Sequence, residues 1–177
     1  VINMFAQLGD KGLMVTIESV GMRTGPYGLQ DDPGMPRFHA LLEATPQTTI
    51  IGHGPGFWAE IGANLTWRGK WHEWGYVKGP LGGEGALWRL MRLYPNLYAD
   101  ISANSAYNAL NREPEEGVRF LNEFQDKLLF ATDTCFADAA GRMPHVGFMK
   151  GLREKGKLSQ EAYDKIMYKN AVRLLGL

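Results

Sequence analysis

Short apolar runs alternate with longer amphipathic segments along this chain. Four of the runs are rich in leucine or β-branched residues and are bounded by polar, glycine or proline residues, which is typical of strands buried in a parallel sheet. These four predicted strands are Leu13–Ile17, Thr48–Ile51, Leu97–Ile101 and Leu128–Thr132. Apolar residues at helical spacing lie between them and predict helices over Pro36–Ala44, Glu84–Tyr94 and Pro114–Phe124. A last amphipathic segment begins at Ser159, a candidate N-cap residue.

The connections at the two edges of the predicted sheet differ in length. Helices pass into strands through tight joints marked by Pro46 and Pro95. The segments that follow the strands are long and rich in glycine and aromatic residues; they cover 18–35, 52–83, 102–113 and 133–147. Long connections at one edge and short ones at the other are typical of a (β/α)8 TIM barrel, whose active site lies at the carboxyl ends of its strands. We therefore expect an α/β fold with the site residues directly after each strand.

Four strand–helix units make only half of such a barrel, because a whole barrel needs about 250 residues. We expect residues 1–177 to form a single domain that is N-terminally incomplete. A four-stranded sheet would leave unpaired backbone groups at both edges. Pairing with another copy of the chain is the alternative to pairing with an N-terminal half.

The charge, the cysteine content and the length of the apolar runs exclude several classes of protein. Lysine and arginine total 19, as do aspartate and glutamate, so no net charge attracts nucleic acid or an acidic membrane surface. The one cysteine, Cys135, cannot form an intrachain disulfide, and no apolar run approaches the ~20 residues of a membrane span. These features favour a cytoplasmic protein whose partner is neither nucleic acid nor a membrane.

Two residues at predicted strand ends are candidates for catalysis. His53 follows the second strand between two glycines, and Asp133 follows the fourth. Taken singly, His53 is as easily a structural histidine, and Asp133 is more simply a helix N-cap. Because the carboxyl ends of parallel strands meet at one mouth, the pair together predicts a site.

A carboxylate and an imidazole at one mouth suit a divalent metal, zinc or manganese. Glu18 ends the first predicted strand and is a candidate third group beside Asp133, although a solvated carboxylate explains it equally well. Asp100 lies within the third strand, where an inward-facing residue and a buried structural acid are both open interpretations. Ser102 and Asn104 lie nearer the mouth and rank with Asp100, below Asp133. The remaining histidines, His39, His72 and His145, are expected to be surface or loop residues rather than ligands.

The second long loop is unusually rich in aromatic side chains. Its members are Trp58, Trp67, Trp71, Trp74 and Tyr76. They line a substrate pocket or pack on another copy of the chain in a homo-oligomer, since Trp and Tyr are enriched in both settings.

Several stretches together resemble the amidohydrolase-related family, in the branch that includes decarboxylases of aromatic acids and of aminocarboxymuconate semialdehyde. The matching stretches are Tyr27–Leu29, Asp32–Pro36, Ile51–Trp58, Tyr94–Ala103, Leu128–Asp133 and the end of the chain from Asn170. The resemblance implies that the chain is the C-terminal half of a barrel, about strands five to eight. It gives His53 the place of a catalytic histidine and Asp133 that of a metal-binding aspartate.

The resemblance also sets expectations for the substrate and for the metal. It implies a metal-dependent hydrolase or decarboxylase acting on a small organic acid, with Trp58, Tyr27 and Asn104 as candidate substrate contacts. Where the family has a metal-binding histidine on its fifth strand, this chain has Glu18. Either Glu18 replaces that ligand, or the chain is a metal-free, non-catalytic barrel fragment that serves in binding or assembly.

Overall fold

A computed structural model describes residues 1–19, 28–65, 76–135, 137 and 143–177 of the chain. In this part of the chain four parallel strands form one sheet in sequence order. They are β1 (Val15–Glu18), β2 (Ile50–His53), β3 (Leu97–Asp100) and β4 (Leu128–Leu129). Their register sets Glu18 beside His53 and Asp100 beside Leu129. Three successive strands therefore end in a polar residue at one edge, the carboxyl edge of the sheet.

Helices lie between and around the strands. They are α1 (Ile2–Asp10), α2 (Pro36–Ala44), α3 (Pro55–Ala59), α4 (Ala86–Leu93), α5 (Ala103–Asn111), α6 (Pro114–Glu123), α7 (His145–Glu154), α8 (Gln160–Asp164) and α9 (Asn170–Leu175). One π-helical turn, Lys165–Lys169, joins α8 to α9. The Ser159 hydroxyl accepts a hydrogen bond from the Ala162 N–H, so the predicted N-cap is confirmed. No helix in the described ranges is long and apolar enough to cross a membrane.

The core lies between the sheet and the helices that follow β2 and β3. Leu87, Trp88 and Leu90 of α4 and Phe120 of α6 have no exposed surface. The ring of Trp88 meets that of Phe120 edge to face, with centroids 4.9 Å apart. Aromatic pairs of this geometry contribute beyond their buried area. This apolar packing holds α4 and α6 in the core, whereas the polar side chains lie at the carboxyl edge of the sheet.

The structure corrects three details of the sequence analysis. The first two strands lie about two residues later than their apolar runs, so Glu18 and His53 are inside strands rather than after them. The predicted loop 102–113 contains the helix α5, whose short side chains made its apolar face inconspicuous. His145 is not a surface residue, because it is only 2% exposed and its Nε2 bonds to the carbonyl oxygen of Ala103.

Candidate active site

Four charged side chains meet at the carboxyl edge of the sheet. Glu18, His53 and Asp100 are the last residues of β1, β2 and β3, and Asp133 follows β4 by four residues. The imidazole lies at the centre of the group. Its Nε2 is 3.0 Å from a Glu18 oxygen and 3.8 Å from an Asp133 oxygen, and its Nδ1 is 2.9 Å from Asp100 Oδ1. The structure therefore brings together the three residues that the sequence pointed to and adds Asp100.

The Asp100 carboxylate is itself held by its neighbours. The Ser102 hydroxyl donates to Asp100 Oδ1 at 2.6 Å, and the Ser102 N–H bonds to the same oxygen at 3.2 Å. The indole N–H of Trp58 donates to the Asp100 carbonyl oxygen, which fixes the end of β3. A carboxylate held in this way fixes the orientation of the imidazole that bonds to it.

The two carboxylates keep His53 positively charged. The hydrogen bond to Asp100, followed by the one to Glu18, raises the pKa of His53 to about 10, although burial acts in the opposite direction. Near neutral pH both ring nitrogens therefore carry protons and both donate. Since Nδ1 is directed to Asp100, Nε2 is the nitrogen that faces Glu18, Asp133 and the open side of the site.

Gly54 allows the close approach of the Glu18 carboxylate. Its φ of 92° lies in a region that residues with a side chain rarely adopt. A Cβ at this position would stand 2.5 Å from a Glu18 oxygen and 2.8 Å from the Ser19 carbonyl oxygen. The glycine after His53 is therefore required by the geometry of the site.

The backbone at this edge also departs from ordinary conformations. In the described part of the chain three non-glycine residues have positive φ, namely Met35, Ala103 and Asp133. Met35 directly precedes α2, Ala103 begins α5 and Asp133 follows β4, so all three come after the carboxyl end of a strand. Such conformations cost roughly 1–3 kcal/mol each and cluster at functional sites. Asp133 has such a conformation. Its side chain is 57% exposed to solvent, and one of its oxygens lies 3.8 Å from Nε2 of His53.

Two adjoining cavities open on this cluster. One of about 300 Å³ is lined by Glu18, His53, Gly54, Pro55, Tyr76, Ala103, Ser105 and Asp133. The other, of about 400 Å³, is lined by Thr16, Glu18, His53, Asp100, Ser102, Ala131 and Asp133. Glu18, His53 and Asp133 border both cavities, so the central imidazole is accessible from either one. We call the first of these the site cavity.

The three predicted substrate contacts have different positions. Trp58 has no exposed surface and packs edge to face on Phe57 and Phe120, so it is a core residue that supports Asp100 rather than a contact for substrate. Asn104 lies beside the site cavity and lines a shallow depression with Tyr76 and Lys78. Tyr27 lies outside the described residues, as do Trp67, Trp71, Trp74 and His72.

Sequence reasoning ranked two members of the site too low. Asp100 was left open between an inward-facing residue and a buried structural acid, and Ser102 was ranked low because a hydrogen bond to a neighbouring loop would explain it equally well. The available signal was position, since Asp100 lies next to the end of its apolar run and His53 lies just after the end of another. Ser105, which lines the site cavity from the first turn of α5, was overlooked because α5 itself was expected to be a loop.

Among the described residues, the donors for a divalent metal are incomplete. In the ranges that the structure covers, no three His, Cys, Asp or Glu side chains are arranged to hold a metal ion. Both nitrogens of His53 face carboxylate oxygens at hydrogen-bond distance, so in this arrangement neither offers a free electron pair. Glu18 and Asp133 remain as two carboxylates on one side of the cavity. A metal would need further donors from outside the described residues.

Comparison with known proteins extends this picture. None of the curated proteins matches the chain. Among solved structures, an uncharacterised TIM-barrel protein from Bordetella bronchiseptica aligns with 98% of this chain and 49% of its own, with TM-score 0.62 and 19% identity. A Pseudomonas putida protein, named as a proposed 2-pyrone-4,6-dicarboxylic acid hydrolase, aligns with 98% of this chain and 55% of its own, with TM-score 0.52 and 16% identity.

The chain therefore has the α/β TIM-barrel fold and spans about half the length of these two structures. A family model described as amidohydrolase matches residues 33–177, which include β2, β3, β4, His53 and Asp133. The chain belongs to the amidohydrolase family.

Proposed function

We propose that this chain forms part of the active site of a hydrolase that acts on an ester, lactone or amide bond of a small carboxylic acid. The observation that carries the proposal is the position of His53. Its Nε2 faces a cavity bordered by two carboxylates, while its Nδ1 is held by a third. The amidohydrolase family match supports hydrolysis, and the name of the Pseudomonas putida protein supports a carboxylic acid substrate.

The charges in the site define a role for each group. Asp133, the most exposed of the three carboxylates, accepts a proton from water as its oxygen attacks the carbonyl carbon. The carbon–heteroatom bond then breaks, and the leaving atom takes the proton from Nε2 of His53. The proton on Asp133 afterwards returns the imidazole to its charged form, so each turnover consumes one water. Asp100 and Ser102 act as positioning residues, because Asp100 Oδ1 and the Ser102 hydroxyl oxygen both contact Nδ1 of His53, at 2.9 and 3.1 Å.

A divalent metal, zinc or manganese, is the cofactor that the family implies. The described residues do not complete a site for it, so the steps above use none. Glu18 and Asp133 remain proposed ligands for a metal whose other donors lie outside these residues, as they would if the chain is the C-terminal half of a barrel. Elemental analysis of the intact protein tests this, and loss of bound metal in Asp133→Asn is the expected result.

The same assays distinguish hydrolysis from two alternatives. One is decarboxylation, which the resembled branch also includes, and the other is a non-catalytic role. The donor set, which is incomplete among the described residues, favours the non-catalytic alternative. Turnover by the intact protein without bound metal would agree with the mechanism above, whereas bound metal together with carbon dioxide release would favour decarboxylation.

The direct test of hydrolysis is turnover by the intact protein and its Asp133→Asn variant. Ring opening of 2-pyrone-4,6-dicarboxylate, followed by ultraviolet absorbance, is the first assay, and a panel of aryl esters and cyclic amides follows. We expect Asp133→Asn to lower kcat by about 10²- to 10⁴-fold, the usual contribution of a general base. The matched control is Asp126→Asn, which removes a carboxylate whose side chain is 65% exposed and pairs with Lys165. Equal turnover in the two variants would refute the role of Asp133.

A further inference from the structure

The helix α5 begins at the wall of the site cavity without a side-chain cap. Ser102 is its N-cap residue, but its hydroxyl donates to Asp100 instead of accepting from its own helix. N–H groups in the first turn of a helix need acceptors from outside that turn. Among the described residues, the N–H groups of Asn104 and Ser105 have no acceptor outside their own helix. The bond that fixes Asp100 thus leaves donors of α5 available at the cavity wall.

Ser105, in this first turn, supplies an independent sign of a ligand. Its side chain is 1% exposed, and its hydroxyl has no hydrogen-bond partner among the residues that the structure covers. It also lines the site cavity with His53 and Asp133. Buried hydroxyl groups are nearly always bonded, and an exception often marks a position that a ligand or water occupies. The hydroxyl and the helix amides are therefore donors without acceptors in one turn of the cavity wall.

We propose that the first turn of α5 binds an oxygen of the substrate's carboxylate, through the Ser105 hydroxyl and the amides of Asn104 and Ser105. The inference rests on the proposed function and names the substrate group that this side of the cavity receives. All three groups can donate, and the positive end of a helix dipole favours an anion. Glu18 and Asp133 line the same cavity and repel an anion, so the carboxylate turns toward the α5 donors and the bond to be cleaved lies near His53.

Tight packing beneath the turn holds it in place. His145 bonds through Nε2 to the Ala103 carbonyl oxygen at 2.8 Å, and its ring meets that of Tyr107 edge to face. The Ala103 N–H donates to the Thr132 carbonyl oxygen, next to Asp133. The start of α5 is thus tied both to α7 and to the segment that presents Asp133, which fixes its distance from the reacting groups.

The test is binding of isophthalate, a ring dicarboxylate, to the intact protein and its Ser105→Ala variant, measured by titration calorimetry. We expect binding to weaken about tenfold or more, because hydrogen bonds to charged groups are among the stronger ones. The neutral analogue isophthalamide is expected to bind both proteins equally. The matched control is Thr45→Val, which removes a buried hydroxyl that donates to the Leu41 carbonyl oxygen at 2.7 Å, far from the cavity.

Thermal unfolding without ligand supplies the second measurement. Because the Ser105 hydroxyl has no partner, Ser105→Ala should melt at the same or a higher temperature, whereas Thr45→Val should melt lower. A lower melting temperature for Ser105→Ala would show a structural partner and overturn the inference. Equal isophthalate affinity in wild type and Ser105→Ala, or no binding to wild type at millimolar concentration, would also overturn it. Unchanged turnover in Asp133→Asn would refute the proposed hydrolysis without altering this binding result, so the two failures are distinguishable.

Discussion

At the amino edge of the sheet, where the strands begin, buried polar side chains are paired with backbone groups. The Thr48 hydroxyl donates to the Phe5 carbonyl oxygen, and the Asn96 amide donates to the carbonyl oxygens of Thr45 and Thr48. The Asn170 amide bridges two more, from Gln125 and Leu128. Each of these side chains fixes the connection between a helix and a strand through its hydrogen bonds to the backbone. These contacts leave no donor of the amides free for a ligand.

The carboxyl edge shows the opposite arrangement. Glu18 and Asp133 border a cavity, the Ser105 hydroxyl lacks a partner among the described residues, and Ala103 and Asp133 have left-handed backbones. A barrel separates stability from chemistry in this way, with conserved packing at one face and reacting groups at the other. The contrast teaches that polarity alone does not mark a site. Unmet hydrogen-bonding capacity and backbone strain mark it better.

Replacing His53 should have the largest effect on function. His53→Gln keeps a side chain of similar reach but removes the positive charge between Glu18 and Asp100. We expect kcat to fall by about 10²- to 10⁴-fold, the contribution typical of a general acid. Steady-state kinetics of the intact protein measures this. His39→Gln, on the outer helix α2, is the matched control, and a loss of the same size there would contradict the assignment.

A buried carboxyl near the carboxyl edge makes stability depend on pH. Burial raises the pKa of Glu60 to about 7, partly offset by the hydrogen bond from the Gly34 N–H. Between about pH 4.5 and 7 the folded chain keeps a proton that the unfolded chain has lost, so the free energy of unfolding falls as pH rises. We expect Glu60 to account for a loss of up to about 3 kcal/mol by pH 8, since each pKa unit corresponds to about 1.4 kcal/mol. The raised pKa of His53 adds a separate loss above pH 6.5.

Glu60→Gln should remove the Glu60 contribution and keep that of His53, because an amide does not titrate and still accepts from Gly34. Urea unfolding at pH 5 and pH 8 checks it. The exposed Glu43 on α2 provides the control variant, Glu43→Gln, which should behave as wild type. Identical pH dependence in wild type and Glu60→Gln would contradict the expected proton uptake.

Removing a paired amide at the amino edge should affect stability and spare catalysis. Asn96→Ala deletes two hydrogen bonds and leaves the carbonyl oxygens of Thr45 and Thr48 without this buried donor. We expect a loss of about 2 kcal/mol in the free energy of unfolding, since each unpaired buried group costs roughly 1–3 kcal/mol. The kcat of the folded variant should stay within twofold of wild type. A large fall in kcat with unchanged stability would break the distinction between the two edges.

Much of the fold could be predicted from the sequence, because buried parallel strands are short apolar runs and their order fixes the topology. The positions of Glu18, His53 and Asp133 followed from the same pattern. Asp100 could be placed in its strand, but its bond to His53 depends on the register of β2 and β3, which no local pattern encodes. Trp58 was misjudged because indole rings suit pockets and cores alike, and only the packing of Phe57 and Phe120 decides between them.

The most direct test of the site is the titration of the His53 imidazole by ¹⁵N NMR, in intact protein freed of divalent metals by chelation. Held between Asp100 and Glu18, the ring should keep both protons at pH 8 and lose one only near pH 10. His53→Gln identifies its signals by their absence. A His53 that titrates near its ordinary value of 6.5 would show that the two carboxylates do not hold it, and would contradict the account.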